Sequence, residues 1–92
     1  MKVQVKAFAT FREVMDSQFD LDFLQGATIR TLLEDLIERY DGVGEIMFAS
    51  PGTLRDFVNI LKNGRNIHFL GGLDTPLDEG DVIALFPPVA GG

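Results

Sequence analysis

The residue types that carry most enzymatic chemistry are scarce in this sequence. Its 92 residues hold no Cys and one His, His68. That excludes disulfides, iron–sulfur clusters, thiolate zinc sites and a Cys nucleophile. A single imidazole cannot build a His-based metal or catalytic cluster within one chain. No plausible nucleophile–base pair is present, so the expectation is no catalytic residue of its own. Asp20 and Asp22 share one face of a strand, a spacing that could hold a cation. No third ligand is evident, so they read as a solvated face, and no metal is expected. His68 beside Phe69 reads as structural or solvated. Lys2, Lys6 and Lys62 carry amines that could serve as acyl acceptors, although solvated surface lysines are far commoner. The unusual segment is the last one, Pro87-Pro88-Val89-Ala90-Gly91-Gly92. Its prolines disfavour helix and hold the exit extended. Six residues at full extension reach roughly 20 Å. Two glycines without side chains make a thin end that can enter a narrow channel and allow close backbone approach.

Such an end needs a body to present it, and the hydrophobic pattern supplies one. Val3, Val5 and Ala7 alternate with Gln4 and Lys6, a half-buried strand. Phe11, Val14 and Met15 fit a short helical turn packing inward. Phe19, Leu21 and Phe23 alternate with Asp20 and Asp22, a second strand. From Thr28 to Tyr40, Ile29, Leu32, Leu33, Leu36, Ile37 and Tyr40 form one apolar helical stripe. Thr28 suits the N-cap and Gly42 the stop after Asp41. Residues 44 to 53 are less readable, with Ser50-Pro51-Gly52 marking a turn. Phe57 to Lys62 is β-prone, Asn63-Gly64 is a type I′ hairpin signal, and Arg65 to Phe69 is expected to return as a strand. Gly71-Gly72 and Thr75-Pro76 mark a further loop. Glu79-Gly80-Asp81 turns into Val82 to Phe86, which reads as a central, fully buried strand. Pro87-Pro88 ends it, because neither can donate to a ladder. The element order is β-β-α-β-β-β. One long helix on one face of a four- or five-stranded mixed sheet is an α+β fold.

Composition bounds the partners. A chain this short is about one domain, with a modest core. The 46% hydrophobic content is that of a globular protein. The formal net charge of −6 repels phosphate backbones, so no nucleic-acid ligand is expected, and a partner with a basic face is more plausible. No run approaches the ~20 apolar residues that span a bilayer. With no Cys and no targeting segment, the expected compartment is the cytoplasm.

The segment Asp78-Glu79-Gly80-Asp81-Val82-Ile83-Ala84-Leu85-Phe86-Pro87-Pro88-Val89-Ala90-Gly91-Gly92 closely resembles the C-terminus of MoaD-type ubiquitin-like proteins. These are the small subunit of molybdopterin synthase and its relatives, the small archaeal modifier proteins. Phe8-Ala9-Thr10-Phe11-Arg12-Glu13 and the helix after Thr28 are also similar. Phe57-Val58-Asn59-Ile60-Leu61-Lys62-Asn63-Gly64-Arg65 looks most like the archaeal modifier branch. The sequence departs from the shortest relatives in a longer stretch from Asp41 to Asp56. Ala90 stands where several relatives have Ser or Thr.

The resemblance implies a β-grasp domain over residues 1–86 and a flexible tail over 87–92. It implies that the Gly92 carboxylate, ionised at neutral pH and a poor electrophile, is adenylated by an E1-like enzyme of the MoeB or UbaA type. That enzyme uses Mg-ATP; this chain binds no cofactor itself. A sulfur donor then gives a thiocarboxylate, or a lysine amine of a target protein gives an isopeptide bond. Gly91, Ala90, Val89, Pro88 and Pro87 would enter the partner's active site. A molybdopterin synthase large subunit of the MoaE type is a further implied partner. In ubiquitin-like proteins the sheet face away from the helix often binds partners, which makes Phe57, Ile60, Phe69, Leu85 and Phe86 docking candidates, with Phe86 also a core candidate. Asp74, Asp78, Glu79 and Asp81 read as a solvated turn cluster or as a docking patch for a basic rim. A thiazole-synthesis carrier of the ThiS type shares the chemistry but usually lacks the Phe-Pro-Pro-Val tail. The alternative of another class is a β-grasp interaction module whose tail does nothing covalent.

Overall fold

The computed structural model describes residues 1–88. In chain order these form β1 (Lys2–Ala7), α1 (Phe11–Val14), β2 (Gln18–Asp22), α2 (Ile29–Arg39), α3 (Val43–Met47), β3 (Phe48–Ser50), β4 (Thr53–Leu54), β5 (Asn59–Lys62), β6 (Arg65–Asn66) and β7 (Val82–Phe86). Two 3-10 turns, Ile67–Phe69 and Gly72–Asp74, lie between β6 and β7. Five strands make one mixed sheet in the order β2-β1-β7-β5-β6, and β3 and β4 pair separately. β7 runs parallel to β1 and antiparallel to β5. Among the described residues no helix is long and apolar enough to cross a membrane.

Alternation in β1 places Val3, Val5 and Ala7 in the core and leaves Lys2, Gln4 and Lys6 outside it. Ile29, Leu32, Leu33 and Leu36 of α2 join the same buried cluster as these residues and Ile60, Ile83 and Leu85. Burying each such side chain contributes about 1.5–3 kcal/mol, so this single layer is the main favourable term. The start of α2 is fixed by a reciprocal cap: Thr28 Oγ1 accepts from the Thr31 amide at 3.5 Å, and Thr31 Oγ1 accepts from the Thr28 amide at 3.1 Å. The Ile29 amide also donates to Thr75 O at 2.9 Å, and the Leu77 amide to Ala27 O at 2.9 Å. The loop before β7 is thereby tied to the head of the helix.

Three local expectations change. The helix ends at Arg39, with Tyr40 extended as its cap, while Gly42 at φ 92° turns the chain into α3 rather than stopping α2. The returning arm of the hairpin is only two residues long. Asn63 and Gly64 have φ of 51° and 85°, as a type I′ turn requires. Asn66 Oδ1 then accepts from the His68 amide at 2.9 Å and bends residues 67–69 into a 3-10 turn that buries Ile67. Phe57 and Val58 precede the strand instead of opening it. Finally, β7 is central but buried on one side only. Ile83 and Leu85 are sealed under α2, while Val82, Ala84 and Phe86 are half-buried on the face no helix covers.

Candidate functional site: the exit of the C-terminal segment

The geometry that presents the C-terminal segment begins with β7. Leu85 sits opposite Ala7, and Phe86 opposite Asn59. The Phe8 amide extends the pairing past β1 by donating to Leu85 O at 3.1 Å. That contact brings the Phe8 and Phe86 rings into a parallel stack, with centroids 4.4 Å apart and planes 6° apart. Arg12 donates through Nε to Ala7 O at 3.0 Å and holds its guanidinium carbon 5.3 Å from the Phe8 ring centre, a cation–π arrangement. Pro87 cannot extend the ladder and is buried, and Pro88 is half-buried. On the β5 side, Asn66 Nδ2 donates to Asn59 Oδ1 at 2.9 Å and Asn59 Nδ2 donates to Phe57 O at 3.3 Å. The exit is therefore a rim of fixed groups around the last residue of the central strand. Val89, Ala90, Gly91 and Gly92, the positions expected to carry the chemistry, lie outside the described residues.

The docking candidates separate. Phe57 and Phe69 are exposed, at 73% and 83%. Ile60 and Leu85 are core residues facing α2, so they cannot contact a partner. The physical reason is register: each lies one residue away from a position on the uncovered face, where Leu61 and Ala84 stand as a pair. Phe86 belongs to that uncovered face through its stack on Phe8. Leu61, Val82, Ala84, Phe86 and Phe8 are all half-buried there. Arg12 and Phe8 emerged only with the structure. No signal in the sequence joined Phe8 to Phe86, because they meet only through the parallel pairing of β1 with β7.

The acidic group resolves into a clamp. Lys62 Nζ donates to Pro76 O at 2.7 Å and Asp78 Oδ2 at 2.8 Å, and lies 3.4 Å from Asp81 Oδ2. Asp81, 4% exposed, accepts from Asn63 Nδ2 at 2.8 Å and from the Asp78 amide at 2.7 Å. Asn63 Oδ1 accepts from the Val82 amide at 2.9 Å. Hydrogen bonding to Asp78 raises the Lys62 pKa above its usual value, against the opposing effect of burial. Asp74 pairs with Arg30 at 3.1 Å, and Glu79 accepts from the Lys2 amide at 3.2 Å. Asp78 and Asp81 thus hold the start of β7 rather than forming a free docking patch. Lys62, with a side chain 13% exposed, is occupied where it was considered as an acceptor. Lys2 stays exposed.

Elsewhere, His68 is exposed with its ring edge-on to Phe69 at 5.3 Å. Asp20 and Asp22 are exposed, and no group of three His, Asp or Glu side chains among the described residues could hold a metal. A groove of about 670 Å³ opens between α2 and the β3–β4 hairpin, lined by Ile37, Phe48 and Leu73 among others. None of the exit residues lines it.

Comparison with known proteins fits this geometry. The profile of the ThiS family matches residues 5–92. Small archaeal modifier protein 3 of Haloferax volcanii is 40% identical over 95 residues, covering 100% of both chains. The sulfur carrier protein CysO of Mycobacterium tuberculosis is 41% identical over 69 residues, covering 73% of this chain and 74% of that one. The crystal structure of small archaeal modifier protein 1 from Haloferax volcanii superposes with a TM-score of 0.85 at 31% identity, covering 100% of both chains. The chain belongs to the ThiS family, within its ubiquitin-like, β-grasp group of sulfur carriers and small archaeal modifiers.

Proposed function

We propose that this chain is a carried group rather than a catalyst, activated at the carboxylate of Gly92. An E1-like enzyme would bind the segment 87–92 in a channel beside Mg-ATP. The carboxylate attacks the α-phosphorus of ATP, the bond to the bridging oxygen breaks, and pyrophosphate leaves. The resulting acyl-adenylate is an electrophile with AMP as leaving group. Sulfide attack expels AMP and leaves a thiocarboxylate. Amine attack by a target lysine expels AMP, releases a proton and leaves an isopeptide bond. The two outcomes share one intermediate and are compatible. For the sulfur branch, the tail resemblance favours the large subunit of a molybdopterin synthase as receiver.

The observation that carries this reading is the central strand itself. β7 is gripped on both sides and clamped at its start, and residues 87–92 follow directly from its end at the centre of the sheet. The family match continues through residue 92, and relatives in that family are named as a modifier and as a sulfur carrier. Nothing observed favours the purely non-covalent module.

The test is intact-mass measurement after incubation with the cognate E1-like enzyme and Mg-ATP, with and without sulfide. The expected products are the adenylate, then replacement of one oxygen by sulfur at Gly92. Deleting Gly91 and Gly92 should abolish both. An enzyme proven active on another substrate that leaves this chain unmodified would refute the proposal. In cells, a Gly-Gly remnant on target lysines after digestion would establish the modifier branch, and loss of molybdenum-cofactor synthesis on deletion of the chain would establish the sulfur branch.

A further inference from the structure

Among the described residues, three other than glycine have φ in the left-handed region: Ala9 at 52°, Phe57 at 69° and Asn63 at 51°. Asn63 is explained by the hairpin turn. The other two stand at one place. Ala9 lies two residues beyond Ala7, which pairs with Leu85, and Phe57 lies two residues before Asn59, which pairs with Phe86. They flank the root of the C-terminal segment from either side.

Phe57 is the more demanding case. A left-handed backbone crowds the Cβ of any L-residue, and a bulky aromatic is rare there. A buried ring could offset that strain through packing, but this ring is 73% exposed. The strain is held in place by the Asn66–Asn59–Phe57 hydrogen bonds. Backbone strain at an aromatic whose ring is not buried to offset it points to a use outside the chain.

We propose that Phe57 is the docking residue by which the tail-activating enzyme seats this chain over its channel. The inference rests on the reading of Gly92 as the activated carboxylate. It follows from reach. Gly92 is six residues beyond Phe86, roughly 20 Å at full extension, and the first of the six, Pro87, is already buried against the body. An enzyme that draws Gly92 to a nucleotide must therefore close its channel mouth on the residues around Phe86. Phe57 stands on that rim as its exposed aromatic. The chemistry required of the mouth is an apolar pocket for the phenyl ring. Across the exit it requires a carboxylate for Arg12, which is exposed and has no carboxylate partner among the described residues although the chain carries a net −6.

The experiment is the rate of ATP–pyrophosphate exchange by the cognate E1-like enzyme as the concentration of this chain is varied. Phe57→Ala is expected to raise KM by about tenfold or more, the size of a truncated interface anchor, with kcat within about twofold. Phe57→Gly should raise KM equally while unfolding at a higher denaturant concentration, because glycine accepts the left-handed backbone. That pairing separates docking from folding. Leu24→Ala is the control: Leu24 is 87% exposed but follows β2 at the far end of the sheet, where Lys2 pairs with Asp22. Its KM should stay within about twofold of the parent. KM values for both Phe57 variants within that same margin would overturn the inference and leave activation of Gly92 intact. A parent chain that supports no exchange, with an enzyme active on another substrate, would overturn the reading of Gly92 and the inference with it.

Discussion

Replacing Asp81 by Ala tests whether the carboxylate clamp or the apolar layer fixes the central strand. The side chain is 4% exposed and accepts two short hydrogen bonds, from Asn63 Nδ2 at 2.8 Å and the Asp78 amide at 2.7 Å. Hydrogen bonds to a charged group contribute about 1.5–3 kcal/mol each. Asn63 and Asp78 are exposed residues, so water recovers part of that loss, and Lys62 keeps Pro76 O and Asp78 as acceptors. The expected cost is therefore about 3 kcal/mol, a large share of the roughly 5–14 kcal/mol available to a domain this size. In thermal terms it is about 12–24 °C at 4–8 °C per kcal/mol. Urea unfolding followed by circular dichroism would read it as a lower midpoint with an unchanged slope. Asp78→Ala provides the contrast. Its carboxylate lies 2.8 Å from the same ammonium but its side chain is 70% exposed, so solvent screening holds the cost to about 1 kcal/mol or less. Equal costs for the two variants, or a cost below about 1 kcal/mol for Asp81→Ala, would refute the reasoning and make Asp81 an ordinary surface charge.

Other expectations follow from single contacts. Tyr40 is the sole tyrosine; burial raises its pKa, and so does its 2.8 Å hydrogen bond to Asp16. Its contribution to stability is present below the ordinary phenol pKa and is lost as pH rises through the raised one. Ultraviolet titration should show a midpoint above that of the urea-unfolded chain, and Asp16→Asn should lower it. Gly64→Ala meets open space at φ 85° and should cost about 1 kcal/mol in urea unfolding. Gly42→Ala should cost clearly more, because its Cβ would also stand 3.0 Å from Val14 Cγ1. Leu33→Ala, at a fully buried position, should cost about 2–5 kcal/mol in the same assay.

Periodicity made most of the body legible. The alternation in Val3, Val5 and Ala7 reports burial directly. Of the stripe from Ile29 to Tyr40, Ile29, Leu32, Leu33 and Leu36 are buried, Ile37 is exposed and Tyr40 half-buried, because the helix turns its last residues past the edge of the core and ends at Arg39. Asn63-Gly64 encodes its turn because only left-handed residues satisfy it. What the pattern could not supply was side. Ile60 and Leu61 are equally apolar, and which one faces α2 depends on a one-residue register that the hairpin and Asp81 decide together. The region from Gly44 to Thr53 was opaque because its elements are too short to show a period. The exit was visible only as a string of prolines and glycines. Its rim depends on contacts between Phe8 and Phe86, at opposite ends of the sequence.

That last pairing also bears on synthesis. The first strand and the last described strand lie side by side at the middle of the sheet, so the centre closes only after Phe86 has been made. Until then β1 has only β2 beside it, and the apolar face of α2 lacks Ile83 and Leu85 to cover. Such distant pairing makes closure slow relative to a locally connected fold. A product truncated before Val82 would leave its core open to proteases. Every molecule that reaches the native state has therefore already been read through the strand that delivers its terminus.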